Sequence, residues 1–278
     1  MTETFVYEQK YSSPGARTAI EILGLLARNR SPLSTSEIAR QLGISRSLAH
    51  RVLCELRSQR CVDRADDRKY RLGLRVLELG GAYAEQLDFG HSVRLAMMEV
   101  SRLTGETANF AMLEGAEVVY IMKHDGVNSV TTISLVGTRL PANCTALGKV
   151  MLAQLSDGEL AERLQDPLPQ STPRSLGTLA ALRADIGVIR QRGYAIERGE
   201  SLAGRSCVAV RVELPGQDSA ISAMSVSMSE DVFPERYEAA VSHLLDARDR
   251  LQTESRARER LEGIAVAAGP NTNTNMGA

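Results

Sequence analysis

Tryptophan is absent from this chain, and four phenylalanines and seven tyrosines make up its whole aromatic content. A large cavity walled by stacked rings is therefore not expected, although room for a single aromatic acid remains. Cysteine is scarce as well. Cys54, Cys61, Cys144 and Cys207 stand far apart with no CxxC pair, and the four histidines are scattered, so no metal-ligand spacing appears. Reduced thiols, no structural zinc and no bound cofactor are the expectation. No apolar run approaches the ~20 residues that span a bilayer, and the opening MTETFVYEQK lacks a basic stretch followed by an apolar one. The chain is expected in the cytoplasm, away from membranes. Excess charge of one sign is missing too, with 33 Lys/Arg against 34 Asp/Glu.

What is present is ordinary globular material, unevenly arranged. Hydrophobic residues make up 43% and charged residues 24% of 278, enough for two domains at the usual ~100–200 residues each. Between Arg17 and Arg75 there are 13 Lys/Arg against 6 Asp/Glu, a net of +7, which leaves −8 for the rest of a chain that totals −1. A near-neutral protein with one basic end has the electrostatic footprint of a small DNA-binding module joined to something else.

The basic end is organised around STSEIARQLGISRSLAHRVLCELRSQ, Ser34 to Gln59, two short amphipathic helices with a tight turn between them. Ser34 with Glu37 three residues on has the spacing of a capping box. Ile38, Ala39 and Leu42 form the buried face of the first helix, and Gly43 supplies the backbone freedom for the turn. Ser45 caps the second helix, whose Leu48, Val52 and Leu56 recur every four residues and are expected to face inward. Arg46, Ser47, His50 and Arg51 are left outward near its N-terminal half, where a recognition helix meets base edges and phosphates. RCVDRADDRKYRLG, Arg60 to Gly73, adds two short strands about a polar turn, a β-wing carrying Arg64, Arg68 and Lys69. Ser34 and Thr35, where the first helix begins, complete the expected DNA contacts.

Around this module, residues 1–15 read as a disordered arm, and Arg17 to Asn29 as a helix with a broad apolar stripe of Ile20, Ile22, Leu23, Leu26 and Ala27. Such a stripe is wide enough to meet both its own module and a partner chain. Leu74 to Gln86 reads as a helix interrupted at Gly80-Gly81. His91 to Thr104 is a further helix, and TANFAML, EVVYIMKHD and SVTTISLV are strand-like, separated by turn signals. A helix followed by a meander points to α+β rather than alternating βαβ. In PANCTALGKVMLA, Thr145 can cap a helix whose free N–H groups at Ala146 and Leu147 suit a small carboxylate; the alternative is a plain capped helix that Gly148 lets pack closely. RSCVAVRVELPG and SAISAMSVSM read as the last two strands, joined at Pro215-Gly216. Alternation places Arg205 with Cys207 on one face, and Ser225 with Ser227 on one face of the next strand. Pro234 to Arg260 is a long amphipathic helix, and the Asn-, Thr- and Gly-rich ending, 259–278, is assigned to disorder.

The order helix-turn-helix, wing, YRLGLRVLELG from Tyr70, LPANCTALGKVMLA from Leu140 and a GRSCVAV strand from Gly204 resembles the isocitrate-lyase-regulator (IclR) family of bacterial transcription factors, over roughly Ala16 to Leu251. The resemblance implies an N-terminal winged helix-turn-helix over 16–73, a linker helix over 74–88 and a C-terminal GAF-like effector-binding domain over 89–258, α+β in class. It implies a dimer, or a dimer of dimers, on double-stranded operator DNA of a catabolic operon, answering to a small organic acid. The effector cavity would be lined by Leu140, Ala146, Leu147, Glu197, Arg205, Cys207, Ser225 and Ser227. The chain departs from the family where Arg60 replaces a common glycine, at a position where a left-handed backbone would cost arginine ~1–2 kcal/mol. Leu48 stands for a frequent threonine, Arg205 for an apolar or small residue, and Arg211 for a common proline. An inward Arg205 would pair with Glu197 or clamp a ligand carboxylate.

Two other readings stand beside this one. In a DNA-binding protein without a ligand, the C-terminal part would only oligomerise. In an enzyme, Cys207 would be the buried nucleophile and His91, His124 or His243 the base, but none of these falls into a recognisable arrangement. The chain is not expected to be an enzyme.

Overall fold

The computed structural model describes residues 13–29, 31–65, 68–86, 90–129, 135–213 and 220–267, with side chains described as far as residue 254. The chain forms two compact units, residues 1–88 and 89–278. The wing tip at 66–67, most of SVTTISLV, the Pro215-Gly216 junction, the arm up to residue 12 and the tail from 268 lie outside the described residues.

The first unit runs α1 (Pro14–Arg28), β1 (Leu33–Ser34), α2 (Thr35–Leu42), α3 (Arg46–Ser58), β2 (Val62–Arg64), β3 (Lys69–Leu72) and α4 (Leu74–Glu85). Helix α1 begins at Pro14, ahead of the expected Arg17, because Ser13 caps it and proline suits the first turn. The capping box is realised at α2, where the Glu37 carboxylate accepts from the Ser34 N–H at 2.7 Å while the Ser34 hydroxyl accepts from the Glu37 N–H at 3.3 Å. Gly43 follows in the left-handed region at φ 65°, the turn the sequence requires. Ile22, Leu25, Leu26, Ile38, Leu53, Leu56, Val62 and Tyr70 form one core.

In α3 the buried residues are Ala49, Leu53 and Leu56; Leu56 is buried as expected, while Leu48 and Val52 each lie one residue before the buried position. The i, i+4, i+7 row through small Ala49 follows the helix's own period, and Leu48 and Val52 flank it half-buried. The wing gains a strand that two residues could not announce: Leu33 pairs with Tyr70 and Ser34 with Lys69, giving the order β1-β3-β2. Helix α4 runs unbroken through Gly80-Gly81, whose cost of ~1 kcal/mol each is not enough to stop it.

Arg60 does take the left-handed backbone, at φ 57°. The Cys61 N–H reaches the Leu56 carbonyl at 2.8 Å and the Arg60 N–H reaches that of Arg57 at 3.0 Å, the paired bonds of a Schellman ending. An L-side chain is strained there, so Arg60→Gly is expected to raise stability by about 1 kcal/mol, read as a higher denaturant midpoint at unchanged slope. A lower midpoint would show that the arginine side chain is worth more than its strain.

The second unit contains α5 (Gly90–Thr104), β4 (Thr107–Glu114), β5 (Glu117–His124), β6 (Arg139–Pro141), a 3₁₀ turn (Ala142–Cys144), α6 (Ala146–Leu152), α7 (Asp157–Arg163), α8 (Leu179–Arg192), β7 (Ala195–Arg198), β8 (Arg205–Val212), β9 (Ser222–Ser229) and α9 (Phe233–Ala267). Helix α9 extends past Arg260 into the stretch assigned to disorder. The six strands form one antiparallel sheet, β6-β5-β4-β9-β8-β7, so strands distant in sequence lie side by side at its centre. Helices α5 and α9 pack on this sheet, while α6 lies on the face where Ala111, Ala223, Ala209 and Ala195 are small enough to admit it. Gly148 is needed at that contact, because a Cβ there would fall 2.1 Å from the Ala142 carbonyl oxygen.

Candidate functional site

Helix α3 presents Arg46, Ser47, His50 and Arg51 exposed along its N-terminal half, with the Ser45 hydroxyl accepting the Leu48 N–H at 3.2 Å to cap it. Arg64 and Arg68 are exposed on the wing and Lys69 is half-buried beside them. Ser34 and Thr35 are half-buried at the start of α2; the Ser34 hydroxyl is engaged with Glu37, which reduces what it offers to a phosphate. Helix backbone N–H groups and five cations, Arg46, Arg51, Arg64, Arg68 and Lys69, therefore stand on elements fixed by one core, which is what a surface needs to hold a duplex in one register.

On the α6 face of the large sheet, beyond the alanine row, lies a cavity of about 210 Å³. Its floor comes from strand residues of one face. Cys207 is opposite Ser227, and Ser225 opposite Asn109. A register shift after Phe110 lets Tyr120 of β5 join them. Thr145, Ala146 and Leu147 close one side from the start of α6, Leu140 comes from β6, and Ser171, Ser201 and Leu202 come from two loops. Of the residues expected here, Leu140, Ala146, Leu147, Arg205, Cys207, Ser225 and Ser227 line the cavity. Glu197 stands behind this lining. Buried at 1% exposure, it accepts from the Ser201 hydroxyl at 2.5 Å and from the Glu200 N–H at 3.1 Å. Burial pushes its carboxyl up to about 7, against these hydrogen bonds, which lower it.

Arg205 makes no ion pair with Glu197 among the described residues; its Nη2 donates to the Ser227 hydroxyl at 3.2 Å instead. The alternation along β8 and β9 brings those two side chains together. Cys207 has its thiol pushed up to about 12, by burial first and the neighbouring Glu197 second, which removes the thiolate that nucleophilic catalysis needs. Burial likewise raises the Tyr120 phenol.

Sequence reasoning did not find Asn109, Tyr120, Ser171, Ser201 or Leu202, and it saw Thr145 only as a cap. It also missed Lys149. This lysine is 2% exposed and its Nζ reaches Glu200 at 2.6 Å, Asp185 at 2.9 Å and the Ile196 carbonyl at 3.4 Å, tying α6, α8 and the end of β7 together behind the cavity.

Family models match both parts of the chain: the IclR helix-turn-helix domain over residues 17–66 and the bacterial transcriptional regulator IclR C-terminal domain over residues 81–251. The chain belongs to the IclR family. It is similar to the HTH-type transcriptional regulator XynR of Escherichia coli K12, 33% identical over 75% of this chain and 83% of that one. It is 31% identical to the regulator KdgR of the same organism, over 69% and 73%. Among solved structures, an IclR transcriptional regulator from Alicyclobacillus acidocaldarius aligns with a TM-score of 0.77 at 27% identity, covering 88% of this chain and all of that one. An IclR homologue from Microbacterium hydrocarbonoxydans, solved in complex with 4-hydroxybenzoate, aligns with a TM-score of 0.75 at 26% identity over 87% and 99%. This IclR-family chain is a transcriptional regulator with a DNA-binding helix-turn-helix and a ligand-binding C-terminal domain, and is not an enzyme. No helix among its described residues is long and apolar enough to cross a membrane.

Proposed function

We propose that this regulator binds a palindromic operator as a dimer, in the cytoplasm, and that its occupancy changes when a small organic acid enters the cavity over the large sheet. The operator would belong to a catabolic operon. The observation that carries the ligand reading is Arg205, a guanidinium on the cavity lining whose recorded bond goes to a neutral hydroxyl. A carboxylate would give it the charged partner it otherwise lacks among the described residues. The N–H groups of Ala146 and Leu147, with the hydroxyls of Ser225 and Ser227, add further donors, and Leu140 with Leu147 supplies apolar wall. The dimer reading is supported by α4, which leaves Leu74, Leu77 and Tyr83 at 65%, 70% and 51% exposed, an apolar surface of the kind a second copy covers.

On DNA, half-sites are expected about one helical turn, ~10 bp, apart or a multiple of it. Arg46→Ala and Arg51→Ala should each weaken operator binding by about 1–3 kcal/mol and relax sequence preference. Arg68→Ala or Lys69→Ala should instead reduce the salt dependence by about one unit of slope, across all sequences alike. Equal affinity for operator and random duplex at physiological salt would end the specific-regulator reading.

A further inference from the structure

Three carboxyls crowd behind the cavity wall around a single buried cation. Lys149 pairs with Glu200 at 2.6 Å and with Asp185 at 2.9 Å. Glu197 is the third carboxyl, almost wholly buried, and no cation is recorded against it among the described residues. With every group ionised, one positive charge would face three negative ones in a site largely closed to water. Unbalanced buried charge is costly, and a site with an excess of carboxylates keeps a proton instead. Lys149 serves Glu200 and Asp185, so that proton falls to Glu197. The other charged and titratable neighbours do not relieve it. Cys207 stands opposite on β8 and Tyr120 of β5 is near enough to feel the charge, and burial keeps both protonated. Arg205, two residues along β8 from Cys207, donates to Ser227. Arg198, next in β7, lays its guanidinium on the Phe233 ring, and Arg174 pairs with Glu230.

Hydrogen-bond geometry decides which oxygen of Glu197 takes the proton. Oε2 accepts the Glu200 backbone N–H at 3.1 Å, a donor that cannot reverse. Oε1 accepts from the Ser201 hydroxyl at 2.5 Å and from the Ser201 N–H at 3.4 Å. A hydroxyl can turn from donor to acceptor, so Oε1 is the oxygen that can be protonated without opposing two donors. Ser201 itself lines the cavity. While Glu197 is ionised, the Ser201 proton is held behind the wall and only lone pairs are left to offer a guest. Once Oε1 carries a proton and donates it to Ser201, the Ser201 proton is released toward the cavity. One proton therefore removes a negative charge behind the wall and turns an acceptor on its surface into a donor. Both changes favour an anion.

Resting on the reading that the cavity takes an organic acid, we propose that Glu197 is a proton-operated gate on effector binding. The anionic effector binds the form of the chain in which Glu197 is protonated, and where Glu197 is ionised beforehand one proton is taken up with the ligand. The gate works in the neutral range, since burial lifts the Glu197 carboxyl to about 7. A simple organic acid is already ionised throughout that range, so the linked proton belongs to the protein and not to the ligand. Acid and pH then reach the regulator as one coupled signal, with acidification sharpening the response.

The test measures binding to the full chain without DNA, which keeps the histidine of the recognition helix out of the readout. Calorimetry with gluconate, hexanoate, benzoate and 4-hydroxybenzoate selects the tightest probe. For that acid, affinity should fall about 10-fold between about pH 6.5 and about pH 8, with uptake approaching one proton per acid bound at the upper end, read from buffers of different ionisation heat. Glu197→Gln, whose amide donates to Ser201 as the protonated acid would, should hold the wild-type affinity of about pH 6.5 across the whole range. Ser201→Ala removes a bond that favours the carboxylate, so the midpoint of the pH dependence should move up, which a merely structural role would not do. A flat wild-type profile, or an unchanged slope in Glu197→Gln, overturns the gate. Absence of binding by every acid at every pH overturns the effector reading instead, and the ligand-free chain then decides on the proton site. A carboxyl raised on folding gives stability that is present below its ordinary 4.5 and lost as pH rises through the folded value. Wild-type urea midpoints should therefore fall relative to Glu197→Gln between about pH 4.5 and about pH 7.5, and parallel curves overturn the proton site.

Discussion

Replacing Lys149 with methionine is expected to lower the folding stability of the second unit by about 3–5 kcal/mol, a large part of the ~5–15 kcal/mol that holds a typical domain together. Methionine keeps most of the apolar stem, so the loss isolates the charge. With the ammonium gone, Glu200 and Asp185 face one another with nothing positive between them, and Glu200 Oε2 already has no recorded partner among the described residues. Burial holds the Glu200 carboxyl above its ordinary range; Lys149 counters this and Asp185 adds to it. Removing Lys149 therefore raises it further. A carboxyl raised on folding binds its proton in the folded state first, so stability is gained as pH falls and lost as pH rises through the folded value. The deficit of the variant is expected to be widest above the raised value of Glu200 and to narrow toward the ordinary carboxyl value of 4.5. Urea unfolding across that range measures it. Adding Glu200→Gln to Lys149→Met should return part of the loss, since an uncompensated carboxylate and not the missing pair carries most of the cost. A deficit under about 1 kcal/mol at every pH would mean that water replaces the ammonium and that the cluster is not structural.

Arg205→Leu is expected to weaken the effector response by about 2–3 kcal/mol, the scale of a charge-assisted pair in a partly dry site, with ligand-free operator binding nearly intact. The change keeps bulk on β8 and removes the guanidinium that faces the cavity. Glu197 sharpens the expectation. It is a buried carboxyl behind the lining, and its ionised form repels an incoming anion once the guanidinium is gone. The measurement is titration of the operator complex with the acid found active on the wild type. An unchanged midpoint would place Arg205 outside the ligand's reach. An equal fall in ligand-free DNA affinity would make it a structural residue.

Local features of the fold were legible in the sequence where a few neighbouring residues decide them. Ser34 with Glu37, Gly43 and the strained Arg60 each announced backbone geometry that the structure contains. Legibility failed where distant partners decide. Nothing in ALGK distinguishes Lys149 from a solvated lysine; its burial depends on Asp185 and Glu200, 36 and 51 residues away. Asn109 sits in a strand that reads as core, and Tyr120 joins it in the cavity only because β5 shifts register against β4. Ala49 was overlooked in α3 for a different reason, since a small residue adds little to an apolar count yet marks where the helix approaches the core most closely. For the second unit, the cavity face could be located from alternation along β8 and β9 because both strands are regular over eight residues.

The two loops that complete the cavity are fastened to each other by side chains. The Thr172 hydroxyl donates to the Gly199 carbonyl at 2.6 Å and the Ser175 hydroxyl to that of Glu200 at 2.6 Å, while the Ser171 and Thr172 N–H groups both close on the Ser175 oxygen. Their conformational entropy is thus surrendered when the chain folds, before any guest arrives. A pre-organised wall spares the ligand that expense, which matters most for a molecule of few atoms, whose contacts alone supply little free energy. It also confines the response. Loops already ordered have little order left to gain, so a signal carried outward from this cavity must travel as displacement of packed elements rather than as the freezing of a mobile segment.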